Sequence, residues 1–252
     1  MVAGSRCYTG AAVLAATGAL RGGAGLVTLF VPSGIEGTIA AKCPPEVIIR
    51  EFGSISELAG HGADAWAIGC GLGGADEIRM NQLLDFIEGL SQPAVIDADA
   101  LNWMAACGRT GLLASHHVVT PHPGEFRRLA PDQASRPREQ AVRSFTNRYP
   151  ATLLLKGCRT LVTCRGETIW CNSTGTPGMA TGGQGDLLAG MVAARLAAGA
   201  RPVLAAAHSA WLCGRAAEIA MQSAGISEQS LLPSDVAARI GAAHKDWRAS
   251  SR

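Results

Sequence analysis

Between Asn172 and Gly190 the chain reads NSTGTPGMATGGQGDLLAG, nineteen residues that hold six glycines, one proline and a single carboxylate, Asp186. Glycines leave backbone N–H groups uncovered, and the apolar run that follows Asp186 predicts a buried helix. An anion approaching the start of that helix would meet bare amides and the positive end of the helix dipole together. Asp186 has the wrong charge for binding phosphate and the right chemistry for taking a proton from a hydroxyl that attacks phosphorus. A G-x-G-D string alone also suits an aspartate cap after a flexible turn. Here PGMATGG upstream and the buried helix downstream favour phosphoryl chemistry.

Three further runs end in polar groups. AVIDADALN supplies Asp97, Asp99 and Asn102, VVTPHPGEF supplies His122 and Glu125, and LLLKG supplies Lys156. Ligands of open α/β sheets bind beyond the carboxyl ends of the strands, so these groups are expected to converge on one rim. Strand-to-helix loops are polar in any case. For Asp97 taken alone, capping the next helix is the stronger expectation.

The elements that must position these residues alternate along the chain. Short apolar runs at 26–31, 46–51, 64–69, 94–99, 117–122 and 152–157 predict strands of a mostly parallel sheet. Helical spacing occupies 9–23, 78–90 and 136–149, the first with Thr9 as N-cap, and later 186–199, 202–222 and 232–247. Residues 160–164 and 168–172 flank Arg165-Gly166-Glu167 and predict an antiparallel hairpin at the sheet's edge. The fold class is therefore α/β, with helices on both faces of the sheet. No repeat or Pro/Ser-rich linker divides residues 1–252, which are expected to form one domain.

Composition bounds the partners. The 252 residues are 48% hydrophobic and 17% charged, so much surface must be buried under helices or at subunit contacts, which favours self-association. A formal charge of +2 without a basic stripe gives no sign of nucleic acid. The eight cysteines include no C-x-x-C pair and mostly sit in apolar runs, which reads as buried thiols in a reducing, cytoplasmic setting. No signal peptide or membrane span is expected.

GAAVLAATGALRGGAGLV, DADALN, TPHPGEF, LLLKGCRTLV and the 172–190 stretch resemble, in order and spacing, the ADP/ATP-dependent NAD(P)H-hydrate dehydratases of the ribokinase-like superfamily. The resemblance runs from about residue 4 to 225 and implies a metabolite-repair reaction. Hydrated NADH or NADPH is phosphorylated on its ring hydroxyl by ADP or ATP, phosphate leaves, and NAD(P)H is restored. It implies Asp186 as the base, with Gly182, Gly183 and Gly185 around the transferring phosphoryl group. Lys156, Gly157, Cys158, Arg159 and Thr160, together with Gly185, resemble the nucleotide-binding segments. Ala11, Gly71, Gly73 and His122, with Asp186, resemble the hydrate-binding surface. Glu125 resembles an acid that organises Mg²⁺ around the phosphates, and a solvated glutamate at a helix start fits it nearly as well. His122 equally suits a histidine that hydrogen-bonds its own loop.

Two departures stand out. GCGLG carries Cys70 where the family commonly has proline, which should loosen that turn. Only MVAGS precedes the first helix, so the first strand reads as truncated, and 252 residues leave no room for the epimerase domain that many bacterial members carry. An epimerase is then a separate functional partner. Two alternatives are a small-molecule kinase of the same superfamily, acting on a vitamin-precursor or sugar hydroxyl, and a nucleotide-binding protein without turnover. Intact Asp186 argues against the last.

Overall fold

The computed structural model describes residues 1–250 apart from 134, 223 and 224. Six strands run parallel: β1 Val27–Pro32, β2 Val47–Phe52, β3 Trp66–Ile68, β4 Ala94–Ile96, β5 His117–Val119 and β6 Thr152–Leu155. Then β7 Leu161–Thr163 and β8 Trp170–Cys171 turn antiparallel and close the sheet at one edge, as the sequence predicts. Each predicted strand lies within two residues of an observed one at its start.

Residues 1–3 join β1 to β3. Val2 N donates to Ala67 O at 2.8 Å, Ala3 N to Phe30 O at 3.2 Å, and Phe30 N to Met1 O at 2.8 Å, with Gly69 N donating to Val2 O at 3.2 Å. Val2 and Ala3 are buried. The sheet order is thus β2-β1-(1–3)-β3-β4-β5-β6-β7-β8.

Helices cover both faces. One face carries α1 Thr9–Gly22, α7 Gln184–Ala197, α8 Pro202–Met221 and α9 Pro233–Ser250. The other carries α3 Glu77–Glu88, α4 Ala98–Ala106, α5 Pro123–Leu129 and α6 Arg138–Arg148, while a short α2 spans Glu36–Ala40. Along β4 and β6 the side chains alternate between the two cores: Val95 and Leu154 point to the first, and Ala94, Ile96, Leu153 and Leu155 to the second. Burial on both faces explains why these strands read as unbroken apolar runs. Among the described residues, no helix is long and apolar enough to cross a membrane, and all eight cysteines are free.

The α1–α7 contact positions the site. A Cβ at Gly18 of α1 would collide with the carbonyl of Leu187, and one at Gly190 of α7 with the carbonyl of Ala15. Glycine at both places lets the two backbones touch. That fixes the first turn of α7, with Asp186, beside the middle of α1, where Gly183 meets Leu14 and Leu187 meets Gly18. Thr9 is not the cap predicted for α1: Tyr8 takes that place without a side-chain bond, and Thr9 Oγ1 accepts from Lys42 Nζ at 3.1 Å.

Candidate active site

The polar rim forms where β3 to β6 end. Asp97 follows β4, is only 2% exposed, and pairs through Oδ1 with Lys156 Nζ at 2.8 Å. It opens α4 yet makes no capping bond, so its carboxylate serves the ion pair rather than the helix. Burial alone would lower the Lys156 pKa, but Asp97 and then Glu125 hold it above its ordinary value, so the ammonium stays charged. The next residue, Ala98, has φ +50°. It and Arg159, at +54°, are the non-glycine residues with positive φ among those described. Both sit at the rim, where such strain is tolerated only if the surroundings over-determine the backbone.

His122 and Glu125 open α5 as a closed capping box. His122 Nδ1 accepts from Gly124 N at 2.9 Å and Glu125 N at 3.4 Å, and Glu125 Oε2 accepts from His122 N at 2.8 Å. The loop-bonding role weighed for His122 is therefore observed, and its ring remains half exposed. Glu125 is not solvated: it is 5% exposed, stands 3.8 Å from Lys156 Nζ, and its pKa is raised mainly by burial.

The start of α7 is built differently. Its N-cap is Gly183, with φ +96° and no side chain to cover the first amides. A Cβ there would press into Leu14 and Pro233, so Gly183 also serves helix packing. A Cβ at Gly185 would stand 3.1 Å from Lys156 Nζ and 3.7 Å from Asp97 Oδ2, whereas Gly182 faces open space. Asp186 in this turn has its pKa pushed up to about 6, first by burial and then by the charge of Asp97, against the opposing effects of the Cys70 thiol and Lys156. Cys70 is buried beside Asp186, and burial and the two aspartates hold its thiol well above the usual range. The turn around Cys70 is held as well, because Gly4 N donates to Cys70 O at 2.8 Å.

The remaining predicted residues border this centre. A Cβ on Gly71 would stand 2.7 Å from Ala11 Cβ, and one on Gly73 would lie 3.1 Å from Ser5 Oγ, so α1 and the 69–74 loop form one small-residue surface. Asp99 Oδ2 pins that loop by accepting from Gly73 N at 2.8 Å. The exposed loop Gly157, Cys158 and Arg159 is fastened by Arg138, which donates to Cys158 O at 2.7 Å and Arg159 O at 3.4 Å, and Thr160 Oγ1 bonds Gly157 O at 3.2 Å. The structure thus brings Lys156, Gly185, Asp186 and the Ala11–Gly71 surface to one rim, with His122 at its margin. Sequence reasoning did not single out Cys70 as a partner of Asp186, nor the buried, unpartnered Ser5 Oγ and Gln184 amide that border the same turns.

An uncapped glycine turn bearing one acid, at the carboxyl rim of a parallel sheet with an antiparallel edge, defines a ribokinase-like α/β protein, and solved structures of that superfamily share the fold. More narrowly, the chain belongs to the NAD(P)H-hydrate dehydratase family, which it matches over residues 1–240. It is 38% identical over 243 residues to the bifunctional NAD(P)H-hydrate repair enzyme of Moorella thermoacetica, covering 89% of this chain and 45% of that protein. The ADP-dependent (S)-NAD(P)H-hydrate dehydratase of Neisseria meningitidis is 36% identical, with 94% of this chain and 81% of the relative covered. The chain spans about half the length of the bifunctional relatives. The ADP/ATP-dependent NAD(P)H-hydrate dehydratase of Bacillus subtilis, co-crystallised with ATP/Mg²⁺, superposes with a TM-score of 0.82 at 26% identity, covering 97% of this chain and 87% of the other.

Proposed function

We propose that this chain restores hydrated NADH or NADPH by nucleotide-dependent dehydration. The observation that carries this reading is Asp186, an acid with a raised pKa in an uncapped helix start, acted on by the charge of Lys156 and by Cys70, whose neighbour Gly71 packs against Ala11. In this reading the hydrated ring lies against Ala11, Gly71 and Gly73 with His122 at its margin. The phosphates lie against the amides of Gly182, Gly183 and Gly185, and the 156–160 loop borders the nucleotide.

Asp186 takes the proton of the ring hydroxyl as that oxygen attacks the terminal phosphorus. The bond from phosphorus to the nucleotide breaks and AMP or ADP leaves; the ring C–O bond then breaks to release inorganic phosphate, and loss of a proton from the neighbouring ring carbon forms the C=C bond of the restored dihydronicotinamide. A base of pKa about 6 is ionised at neutral pH yet basic enough to accept a proton in the transition state. Lys156, fixed between Asp97 and Glu125, supplies a positioned positive charge for the transferring group.

Magnesium fits this donor set as a companion of the nucleotide. Four carboxylates, Asp97, Asp99, Glu125 and Asp186, share the rim with one ammonium group, and no cluster of three or more potential ligands forms a resident metal site among the described residues. Mg²⁺ is usually held by one or two carboxylates plus substrate phosphates; it would here offset phosphate charge, with Glu125 the acid that would help organise it. An epimerase that interconverts the two hydrate epimers is the functional partner this reading implies.

Purified chain mixed with hydrated NADH, Mg²⁺ and ADP or ATP tests the reading. The absorbance of reduced nicotinamide should rise, with one phosphate released per ring restored. Stable phosphorylation of a sugar or vitamin-precursor hydroxyl, with no action on the hydrate, would replace it with the kinase alternative.

A further inference from the structure

At the other end of α7 the structure holds a cavity that the proposed reaction does not use. Arg195 lies nine residues after Asp186, about 14 Å along the helix axis. There a cavity of about 440 Å³ opens between the edge hairpin, α8 and α9, walled by Trp170, Trp211, Trp247 and Leu204, with Arg195, His208, Asn172 and Ser173 as its polar groups. That volume falls in the range of small-molecule sites, and so does the mixture of aromatic walls with a few polar groups. The rings are already ordered against one another. Trp211 and Trp247 meet edge to face with centroids 5.0 Å apart, and His208 leans on Trp247 at 4.5 Å.

The polar groups indicate what the cavity accepts. Arg195 is half-buried, its Nη2 lies 3.2 Å from His244 Nδ1, and its Nε is buried without a hydrogen-bond partner among the described residues. Among the described residues, no carboxylate side chain lines the cavity. His208 Nε2 is likewise buried without a partner. Burial, then Arg195 and His244, bring the His208 pKa down to about 4, so the ring is neutral and can offer one N–H. A guanidinium that forms no ion pair among the described residues, set beside aromatic walls, calls for a flat ligand that carries a negative charge.

We propose that this cavity binds a small planar aromatic acid, its ring among Trp170, Trp211 and Trp247 and its carboxylate on Arg195 and His208. Naphthalene-2-carboxylate and the uncharged naphthalene-2-carboxamide are suitable probes, with binding to the intact chain followed by calorimetry. The acid should bind with one-to-one stoichiometry and at least about tenfold more tightly than the amide. Arg195→Gln should abolish that preference, Arg195→Lys should keep most of it, and Ala207→Phe, which fills the cavity, should remove binding of both probes. ADP affinity should be unchanged in all three variants, which also checks that they are folded. Equal binding of acid and amide would overturn the proposal, as would undiminished binding of the acid by Ala207→Phe. So would failure of the acid to bind while sedimentation shows chain association that Trp170→Ser abolishes, because the face would then be a contact between copies.

Discussion

Two helices start on the same rim and do opposite things with the same backbone. At α5 the first amides are consumed by His122 Nδ1, and Glu125 reaches back to the His122 amide. At α7 the cap is Gly183, no side chain covers the amides, and Asp186 makes no salt bridge among the described residues. A helix start closed by its own residues has spent its first amides, whereas one left open by a glycine cap keeps them available, which is what the proposed reading requires of α7. The cost of leaving α7 open is offset where its backbone touches α1 at Gly18 and Gly190.

The strongest way to break this contrast is to alter the acid of the open start. Asp186→Asn should lower kcat by about 10²–10⁴-fold while ADP affinity stays within about threefold, because asparagine keeps size and polarity but accepts no proton. Stopped-flow and calorimetry on the same sample would show it, and near-normal turnover would remove Asp186 from the mechanism.

The two glycines of that turn separate packing from binding. Gly183→Val should cost about 2–4 kcal/mol of stability, since valine resists φ +96° and would press into Leu14. Gly185→Val should instead weaken ADP by about tenfold or more, because its side chain would crowd Lys156 Nζ and shield the amides. Thermal melts and ADP titrations on both variants decide the point, and interchanged effects would reverse the assignment of the two glycines.

At the closed start, His122→Ala should cost about 1 kcal/mol through the lost cap, a fall in Tm of roughly 2–4 °C. It should also raise KM for hydrated NADH more than KM for ADP. A stability loss with both constants unchanged would leave His122 as scaffold alone.

The smallest effect follows from the raised pKa of Asp186. Its folded value of about 6 exceeds that of an unfolded aspartate, so the folded chain holds this proton more tightly. Stability from this group is therefore present at low pH, declines between about pH 4 and 6, and stays reduced above. Asp186→Asn should accordingly raise Tm by a few degrees at about pH 8, on the order of 1 kcal/mol, with no gain near pH 3.5. An equal shift at both pH values would show that charge is not the cause.

The sheet was legible because strands buried on both faces leave unbroken apolar runs, and the edge hairpin because its two runs flank a short polar turn. The short helices α4 and α5 were not, since each begins within four residues of a strand end and is too brief to display a helical period. Asp186 could be read from its own neighbours. Asp97 could not, because the reason it pairs instead of capping α4 is Lys156, 59 positions away in sequence and 2.8 Å away in space. The proximity of Cys70 to Asp186 was hidden in the same way, and a cysteine that looked like a loosened turn proves to lie where it acts on the acid. The space beside Gly183 that Leu14 fills depends on how α1 and α7 pack, which local composition does not encode.

The central claim, that an ionisable Asp186 in an open helix start drives the chemistry, is tested most directly by the pH dependence of kcat/KM for hydrated NADH with saturating ADP and Mg²⁺. The rate constant should rise about tenfold per pH unit at low pH and level off above an apparent pKa near 6, the value set by burial and Asp97. A profile that stays flat between about pH 5 and 8, or a rising limb that persists unchanged in Asp186→Asn, would contradict it.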